Sequence, residues 1–152
     1  MNLSEPQFIH KRCLELIRAS AMNENHWERT LLDQTHPRIR DFIENLDDEL
    51  AIVSFFAADD DWTLYTTHRM VGEHEGIRAE ISRDEFGDTD FGDFKGDFDS
   101  PRIETAAIRF GKKSRLFYYE TGYASMAPIH YFKFWRLKWP VWRQTYQLSK
   151  KA

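Results

Sequence analysis

The spacing of hydrophobic positions near the start of the chain predicts an amphipathic helix. Ser4 and Gln7, three positions apart, form the pattern of a capping box, and Pro6 is tolerated in a first helical turn. Apolar residues then recur every three or four positions: Ile9, Cys13, Leu16 and Ile17. The polar residues between them would face the solvent.

Two further helix starts follow in the first 49 residues. Asn25 with Glu28 is a start signal for a second helix, and Thr35 before Pro37 is a start signal for a third. The apolar residues of the two predicted helices are Trp27, Leu31, Leu32, Ile39, Phe42, Ile43 and Leu46. Such short helices need packing partners. A homodimer through Phe42, Ile43 and Leu46 and a monomer are both compatible with the pattern.

From Leu50 onward the pattern becomes strand-like. Residues 51–56 are a β-branched and aromatic run that ends at an Asp59-Asp60-Asp61 turn, and residues 62–71 alternate between two faces. Gly72 and Gly76 bracket a turn before the next strand. Three more strands are predicted at residues 77–81, 103–110 and 115–120, the last two joined by a hairpin turn at 111–114. About six short strands favour an antiparallel barrel or a strongly bent sheet.

The period returns to helical after Gly122. Ser125 can cap this helix, and an aromatic stripe follows it: Phe132, Trp135, Trp139, Trp142 and Tyr146. Pro140 cannot continue a regular helix. We therefore expect a helix to about Leu137, a kink or break, and a short terminal helix opened by Pro140. Three basic residues fall away from the stripe: Lys133, Arg136 and Arg143.

One segment resembles a known family. The run WTLYTTHRM at residues 62–70 is similar to bacterial pleckstrin-homology-like (PH-like) and GRAM-like domains, in which a Leu, Thr-rich, Arg pattern ends one strand and starts the next. Phe94-Lys95-Gly96 and the strand after Leu116, followed by a helix, also lie where such a domain would place them. The resemblance covers roughly residues 50–140. It implies a PH-like antiparallel β-barrel closed by the C-terminal helix, and the alternative is an unrelated α+β fold.

The predicted organisation is therefore α+β, with an N-terminal helical segment at residues 1–49 and a PH-like unit with its C-terminal helix at residues 50–152, together one compact unit. The fold often binds phosphoinositides through basic residues near its first strands. Here the first loop is Asp59-Asp60-Asp61, which has the wrong sign for a phosphate. That function is not carried over to this chain.

Composition and charge narrow the class of protein. The chain has 152 residues, and its single Cys13 excludes an intramolecular disulfide framework and a thiolate metal cluster. No apolar run approaches the roughly 20 residues of a membrane span, and the first residues lack a signal-peptide pattern, so we expect a cytoplasmic protein.

The net charge of −4 hides a strong asymmetry. Residues 102–152 hold eleven Lys and Arg but two Glu, whereas residues 1–101 hold ten basic and 23 acidic side chains. Either the fold matches these charges internally or one face is presented to a charged partner.

Motifs for catalysis and cofactors are missing from the sequence. There is no Gly-x-Ser-x-Gly elbow, no Walker loop and no Gly-x-Gly-x-x-Gly, and the six His lack zinc-ligand spacing. We therefore predict a protein that is not an enzyme and that holds no metal and no cofactor. An uncharacterised small enzyme is kept as an alternative, and its sign would be a deep pocket holding His68, His74 or His130 beside a carboxylate.

The most distinctive segment is residues 84–99, called the acidic loop below. It surrounds four phenyl rings with seven carboxylates, opposed by Lys95. The spacing Asp88-x-Asp90-x-Gly92-Asp93 differs from a calcium loop because the Gly comes one position early and the bidentate Glu is missing. One interpretation is a solvated loop whose Phe residues anchor it to the barrel.

A second interpretation assigns the acidic loop a partner. Spaced negative charge with exposed rings imitates the phosphates and bases of a nucleic-acid strand, and would fit the basic cleft of a nuclease. We therefore predict a protein-binding module, most concretely an immunity or inhibitor protein that neutralises a basic partner enzyme such as a nuclease-type toxin. The predicted partner-binding residues are Asp84, Glu85, Asp88, Asp90, Phe91, Asp93, Phe94, Asp97 and Asp99.

The aromatic and basic C-terminal segment gives a rival interpretation, a peripheral membrane or lipid-binding PH-like module. Its residues would be Lys133, Arg136, Lys138, Trp139, Trp142 and Arg143. The same aromatic stripe can also pack as the buried face of a helix that covers the end of a barrel. We favour this packing role over membrane binding. Direct nucleic-acid binding is not predicted, because the acidic part of the chain opposes it.

Overall fold

The computed structural model describes residues 2–21, 23–43, 46–92, 94–95, 103–110 and 113–151, with the backbone alone described at 103–110 and 113–115. In chain order it has an N-terminal helix, a five-stranded antiparallel sheet, a three-stranded antiparallel sheet and a C-terminal helical region. This confirms the predicted α+β class and the predicted C-terminal helix after the strands.

Helix α1, Glu5–Ser20, begins at the predicted capping box. The Gln7 amide donates to Ser4 Oγ at 3.3 Å, and the Ser4 amide donates to Gln7 Oε1 at 2.9 Å. The buried face consists of Ile9, Cys13, Leu14 and Ile17, whereas Leu16 is half-buried. Burial raises the pKa of the Cys13 thiol. The thiol therefore stays protonated and packs as a small apolar group.

The predicted second helix is wrong. The segment contains the 3₁₀ turn Glu24–His26 and the short strand β1, Thr30–Leu32. The carboxylate of Glu120 accepts the backbone N–H groups of Glu28 at 2.9 Å and Arg29 at 2.8 Å, and it also accepts the Thr30 hydroxyl. These bonds from a residue about 90 positions away hold the chain extended, so tertiary structure overrides the local helix signal.

Helix α2, Pro37–Arg40, is shorter than the predicted third helix. Its cap is His36, whose Nδ1 accepts the Arg38 backbone N–H at 3.1 Å. The apolar residues of the predicted stripe still pack inside this molecule, in a cluster with side chains of the five-stranded sheet. The cluster is formed by Ile39, Phe42, Ile43, Leu46, Trp62, Leu64 and Val71. This packing uses the face that the sequence offered for a homodimer.

The five-stranded sheet is an antiparallel meander in the order β1-β2-β3-β4-β5. The later strands are β2 (Ala51–Ala58), β3 (Asp61–Thr66), β4 (Arg69–His74) and β5 (Ile77–Ser82). In the described part of the chain β1 pairs with β2 and β5 pairs with β4, but β1 and β5 do not pair with each other. The sheet is therefore open, and the closed-barrel form of the prediction is wrong for it.

Residues 62–71 do not form one strand, in contrast to the alternation seen in the sequence. Thr66 Oγ1 accepts the backbone N–H groups of His68 at 3.1 Å and Arg69 at 3.0 Å, which folds the chain into a turn between β3 and β4. Gly72, expected at a turn, lies inside β4, and the next turn is made by Glu75 and Gly76, both with positive φ.

The second sheet has the order β6-β7-β8. Its strands are β6 (Thr89–Asp90), β7 (Ile103–Phe110) and β8 (Lys113–Glu120). The two predicted C-terminal strands are confirmed, while residues 111 and 112 of the predicted hairpin turn lie outside the described residues. Strand β8 packs across the first sheet, where the Thr63 hydroxyl donates to the Tyr118 carbonyl oxygen at 2.9 Å.

The C-terminal region is helical on both sides of Pro140. It consists of the 3₁₀ turn Gly122–Ser125, helix α3 (Met126–Lys133), a π-helical turn (Phe134–Lys138) and helix α4 (Trp139–Lys151). Ser125 is the N-cap residue of α3, as predicted, but its hydroxyl makes no capping bond and instead donates to the Gly122 carbonyl at 2.6 Å. The predicted irregularity near Leu137 is present as the π turn, which widens the helix just before the proline ring that would clash with a regular turn.

One large core joins the two ends of the chain. Buried side chains of α1, the five-stranded sheet, α3 and the π turn form a single cluster, including Ile9, Cys13, Ile17, Tyr65, Tyr131 and Phe134. The N-terminal segment and the sheet-containing segment therefore share a hydrophobic core.

Candidate functional site

The described part of the acidic loop is an ordered turn against the second sheet. A 3₁₀ turn, Arg83–Glu85, begins where the Ser82 hydroxyl oxygen accepts the Asp84 backbone N–H at 3.4 Å. Strand β6 then pairs with β7, and Asp90 Oδ1 accepts the Gly92 backbone N–H at 2.9 Å. Local hydrogen bonds thus fix the course of the loop through residue 92.

Two phenyl rings attach the acidic loop to the core. Phe86 packs edge-on against Phe132, with ring centroids 5.2 Å apart, and also contacts Tyr131 and Trp135. Phe91 packs edge-on against Tyr119 at 5.2 Å, and the Tyr119 hydroxyl donates to the Phe91 carbonyl. Phe86, Phe91 and Phe94 are each half-buried. The structure thus agrees with the anchoring role that the sequence offered for the Phe residues.

The carboxylates of the described loop point away from this core. Asp84, Glu85, Asp88 and Asp90 are all exposed. An oxygen of Asp88 lies 3.8 Å from a guanidinium nitrogen of Arg136, and this pair is solvent-exposed and therefore weak. Three predicted partner-binding residues, Asp93, Asp97 and Asp99, lie outside the described residues.

A groove that the sequence did not indicate lies between the acidic loop and α3. Its volume is about 550 Å³. One side is formed by residues 83–91, and the other side is formed by α3 and the π turn. The apolar lining includes Phe86, Phe91, Ile129, Phe132 and Trp135, and the charged lining is Arg83, Asp88, Lys133 and Arg136. Packing of two distant segments creates this site, so no local sequence signal could have shown it.

Arg83 is fixed at the end of the groove. Its guanidinium lies 2.6 Å from Glu5 Oε1, donates to the Thr67 carbonyl at 3.2 Å, and stacks over the rings of Trp135 and Trp139 at 5.2 and 5.7 Å. These contacts join α1, the β3–β4 turn and the C-terminal region. Arg83 therefore positions the groove, and its charge is largely matched by Glu5.

The residues of the membrane interpretation separate onto two sides of the C-terminal helices. The cations Lys133, Arg136, Lys138 and Arg143 are exposed. Trp139 is 9% exposed, and the half-buried Trp142 is covered by the Arg12 guanidinium at 4.1 Å from its ring centroid. An interfacial helix inserts its Trp rings into the lipid. These rings instead face the protein, as expected for the packing role.

The His residues of the enzyme alternative do not line the described groove. His74 ends β4 opposite Asp61 of β3, with its Nδ1 3.9 Å from Asp61 Oδ1 and its ring against Tyr118 at 3.7 Å. The pKa of Asp61 is raised, mainly because partial burial removes water from its charged carboxylate. Burial lowers the pKa of His130, with a further contribution from Lys133. His68 Nδ1 lies 2.8 Å from the Thr67 hydroxyl.

Two features are absent from the described residues: a cluster of metal ligands and a membrane-spanning helix. Among them, no three His, Cys, Asp or Glu side chains come together as a metal site would need. Within the same residues, no helix has the length and apolar content to cross a membrane.

Comparison with known proteins assigns this chain neither a family nor a function. No protein-family model, no curated protein and no solved structure matches this chain. Function therefore has to be argued from the geometry of the acidic loop and the groove.

Proposed function

We propose that this protein is a non-catalytic binding module that docks a basic protein partner through its acidic loop. Its most concrete form is an immunity or inhibitor protein that occludes the basic cleft of an enzyme such as a nuclease-type toxin. The observation that carries the proposal is the division of the loop into an anchored side and an exposed side. Phe86 and Phe91 pack into the core while Asp84, Glu85, Asp88 and Asp90 face the solvent.

This division favours binding for a physical reason. A loop that is already ordered loses less conformational entropy when a partner binds, so more of the interaction energy appears as affinity. Exposed carboxylates of one sign also steer a basic partner and raise its association rate. The anchoring and docking interpretations of the loop are thus two parts of one arrangement.

We further propose that the unit is PH-like. Strands β2 to β5 form a four-stranded meander, β6 to β8 form a three-stranded one, and a helix follows, which is the element order of that fold. The first turn of this unit carries Asp59 and Asp60. Arg38 forms an ion pair with Asp59, with 2.6 Å between Arg38 Nη2 and Asp59 Oδ2. A protein partner suits this turn better than a phosphoinositide, because the exposed charge near it is acidic.

The experiment compares two charge-reversed variants of equal net charge. The loop variant is Asp84→Lys/Glu85→Lys/Asp88→Lys, and the matched control is Glu24→Lys/Asp47→Lys/Asp48→Lys at exposed carboxylates elsewhere. Tagged protein captures partners from native lysate at low and high salt. The recovered partner is then purified, and its association rate constant with each variant is measured across salt concentrations.

We expect a basic partner that is lost at high salt and whose activity falls at one-to-one stoichiometry with this protein. The loop variant should associate at least about tenfold more slowly and with a flatter salt dependence, whereas the control should stay within about threefold of wild type. Equal association of loop variant and control would refute the role of the loop. The inhibitor proposal would fall if the captured partner kept its full activity in the complex.

A further inference from the structure

The groove beside the acidic loop has the size and apolar lining of a small-molecule site. Its volume of about 550 Å³ lies within the usual range of roughly 300–1,000 Å³ for ligand pockets. Phe86, Phe91, Phe132 and Trp135 contribute aromatic surface to it. Phe86 meets Phe132 and Trp135 edge-on, with centroids 5.2 and 6.3 Å apart. A flat aromatic body matches such a lining, because rings favour edge-to-face and offset contacts.

The charged groups of the groove favour an anion. Lys133 and Arg136 both line the groove, and both side chains are exposed. The described residues provide Lys133 with no ion-pair partner, and Arg136 meets Asp88 at a loose 3.8 Å. Asp88 is 94% exposed and Arg136 is 63% exposed, so this pair contributes little stability. A ligand carboxylate can displace Asp88 at small cost and gain two cationic partners.

The π turn is a second observation that points to this groove. Both Trp135 and Arg136 belong to the turn Phe134–Lys138, and both line the groove. A π turn is less stable than regular helix and is found frequently at functional sites. Here it changes the directions in which an aromatic and a cationic side chain leave the helix, and both reach the same cavity.

We infer that this groove binds a free aryl carboxylate. The aromatic body lies on Phe86, Phe91, Phe132 and Trp135, and the carboxylate bridges Lys133 and Arg136 in place of Asp88. The cations of this site are not among the partner-binding residues proposed above, although Asp88 and Phe91 are. Asp88 belongs to both, so a bound ligand would free this carboxylate for the partner.

The test uses naphthaleneacetate and its uncharged isostere naphthaleneacetamide, titrated calorimetrically into the full-length protein. We expect one-to-one binding of the acid, at least about tenfold tighter than binding of the amide, because a carboxylate bound by two cations makes charge-assisted hydrogen bonds. The naphthalene body is common to both probes. The ratio of their affinities therefore isolates the contribution of the carboxylate.

Variants assign the effect to named residues. Lys133→Ala/Arg136→Ala should weaken binding of the acid by about tenfold or more and leave the amide within about twofold. Asp88→Asn should tighten binding of the acid by a few-fold, since it removes the competing carboxylate. The matched control Lys138→Ala/Arg143→Ala removes the same charge from exposed positions outside the groove lining, and it should change neither affinity by more than about twofold.

Three results would overturn the inference. The first is the absence of saturable binding of the acid to wild-type protein, and the second is equal affinity for acid and amide. The third is equal weakening by the Lys133/Arg136 and Lys138/Arg143 variants, which would show that only net charge matters. All four substituted cations are exposed, so circular dichroism is expected to show unchanged folding in every variant.

Discussion

Asp61 shows how a single partly buried carboxyl group can reduce stability at neutral pH. Its Oδ1 is buried, and the described residues provide that atom with no hydrogen-bond partner. Desolvation raises the pKa of Asp61 above its usual 3.8, while attraction to His74 opposes the rise. A carboxyl group that is easier to protonate in the folded state than in the unfolded state makes folding less favourable once it ionises.

Replacement of this carboxyl by an amide should stabilise the protein at neutral pH. We expect Asp61→Asn to raise the free energy of unfolding at pH 7, and the gain should shrink as the pH falls toward 3.8, where the unfolded wild-type carboxyl also becomes protonated. Urea titrations between pH 7 and 4.5 measure this trend. The control Asp60→Asn removes the same charge from an exposed neighbour and should give at most about 0.5 kcal/mol at every pH. A gain that grows toward low pH would contradict the assignment.

Residue-level inference from the sequence worked where the determining contacts are local. The capping box of Ser4 and Gln7 spans three positions, so α1 could be predicted with its first residue. The extended segment at Glu28 could not, because it depends on the carboxylate of Glu120. The same distinction applies to the candidate site. The acidic loop is contiguous and was visible in the sequence, whereas the groove requires Phe86 and Trp135 to meet across 49 positions.

At the scale of elements, Gly72 couples the two sheets. A Cβ built on Gly72 would lie 2.7 Å from the Trp62 carbonyl oxygen and 3.1 Å from Cδ1 of Phe117 on β8. The backbone oxygen cannot move without disturbing the pairing of β3 with β4. Glycine is thus needed within this strand for close approach of neighbouring groups, although it is a weak strand former.

We expect Gly72→Ala to lower the free energy of unfolding by about 1–3 kcal/mol, the usual cost of overpacking. Chemical denaturation measures the change, and Glu73→Ala, in the same strand, is the matched control with an expected loss below about 1 kcal/mol. Amide exchange should rise on both sides of the β3–β4 pair in the Gly72 variant. An unchanged denaturation midpoint would show that the two sheets are not packed as described here.

The helices and strands whose ends are set by neighbouring residues in the sequence could be predicted. Strands β5 and β7 were predicted within about one residue, because each contains strand-forming residues next to a glycine in the sequence, Gly76 before β5 and Gly111 after β7. The alternation of apolar and polar residues did not reveal the β3–β4 turn, because Thr67 and His68 fit the pattern of a strand. The turn is formed by hydrogen bonds to the Thr66 hydroxyl oxygen. Pro140 indicated an irregular helix, but the sequence left open a kink or a break, and the structure has a π turn at Phe134–Lys138.

At the scale of the whole molecule, the described ion pairs show how much of the sequence's charge asymmetry is matched inside the fold. Among the described residues, the carboxylates of residues 1–101 form ion pairs mainly with cations of the same part of the chain. Examples are Arg69–Glu49 and Arg83–Glu5. The exposed cations of the C-terminal helices meet that part in the loose pair Arg136–Asp88. Among the described residues, ion pairing between the acidic part of the chain and the cations of the C-terminal helices is limited to this loose pair.

The shared core predicts that the whole chain unfolds as one unit. Ile17 of α1 is fully buried in the cluster that also holds Phe134 and Trp135. Ile17→Ala should therefore cost about 2–5 kcal/mol and shift the urea transitions followed by far-UV circular dichroism and by Trp fluorescence together. Leu16→Ala, at a half-buried neighbour, should cost less and serves as the control. A fluorescence transition that stays in place while the dichroism transition moves would show that residues 1–49 fold separately from the sheets. Coincident shifts would show that the loop and groove are held in place by a core that includes α1.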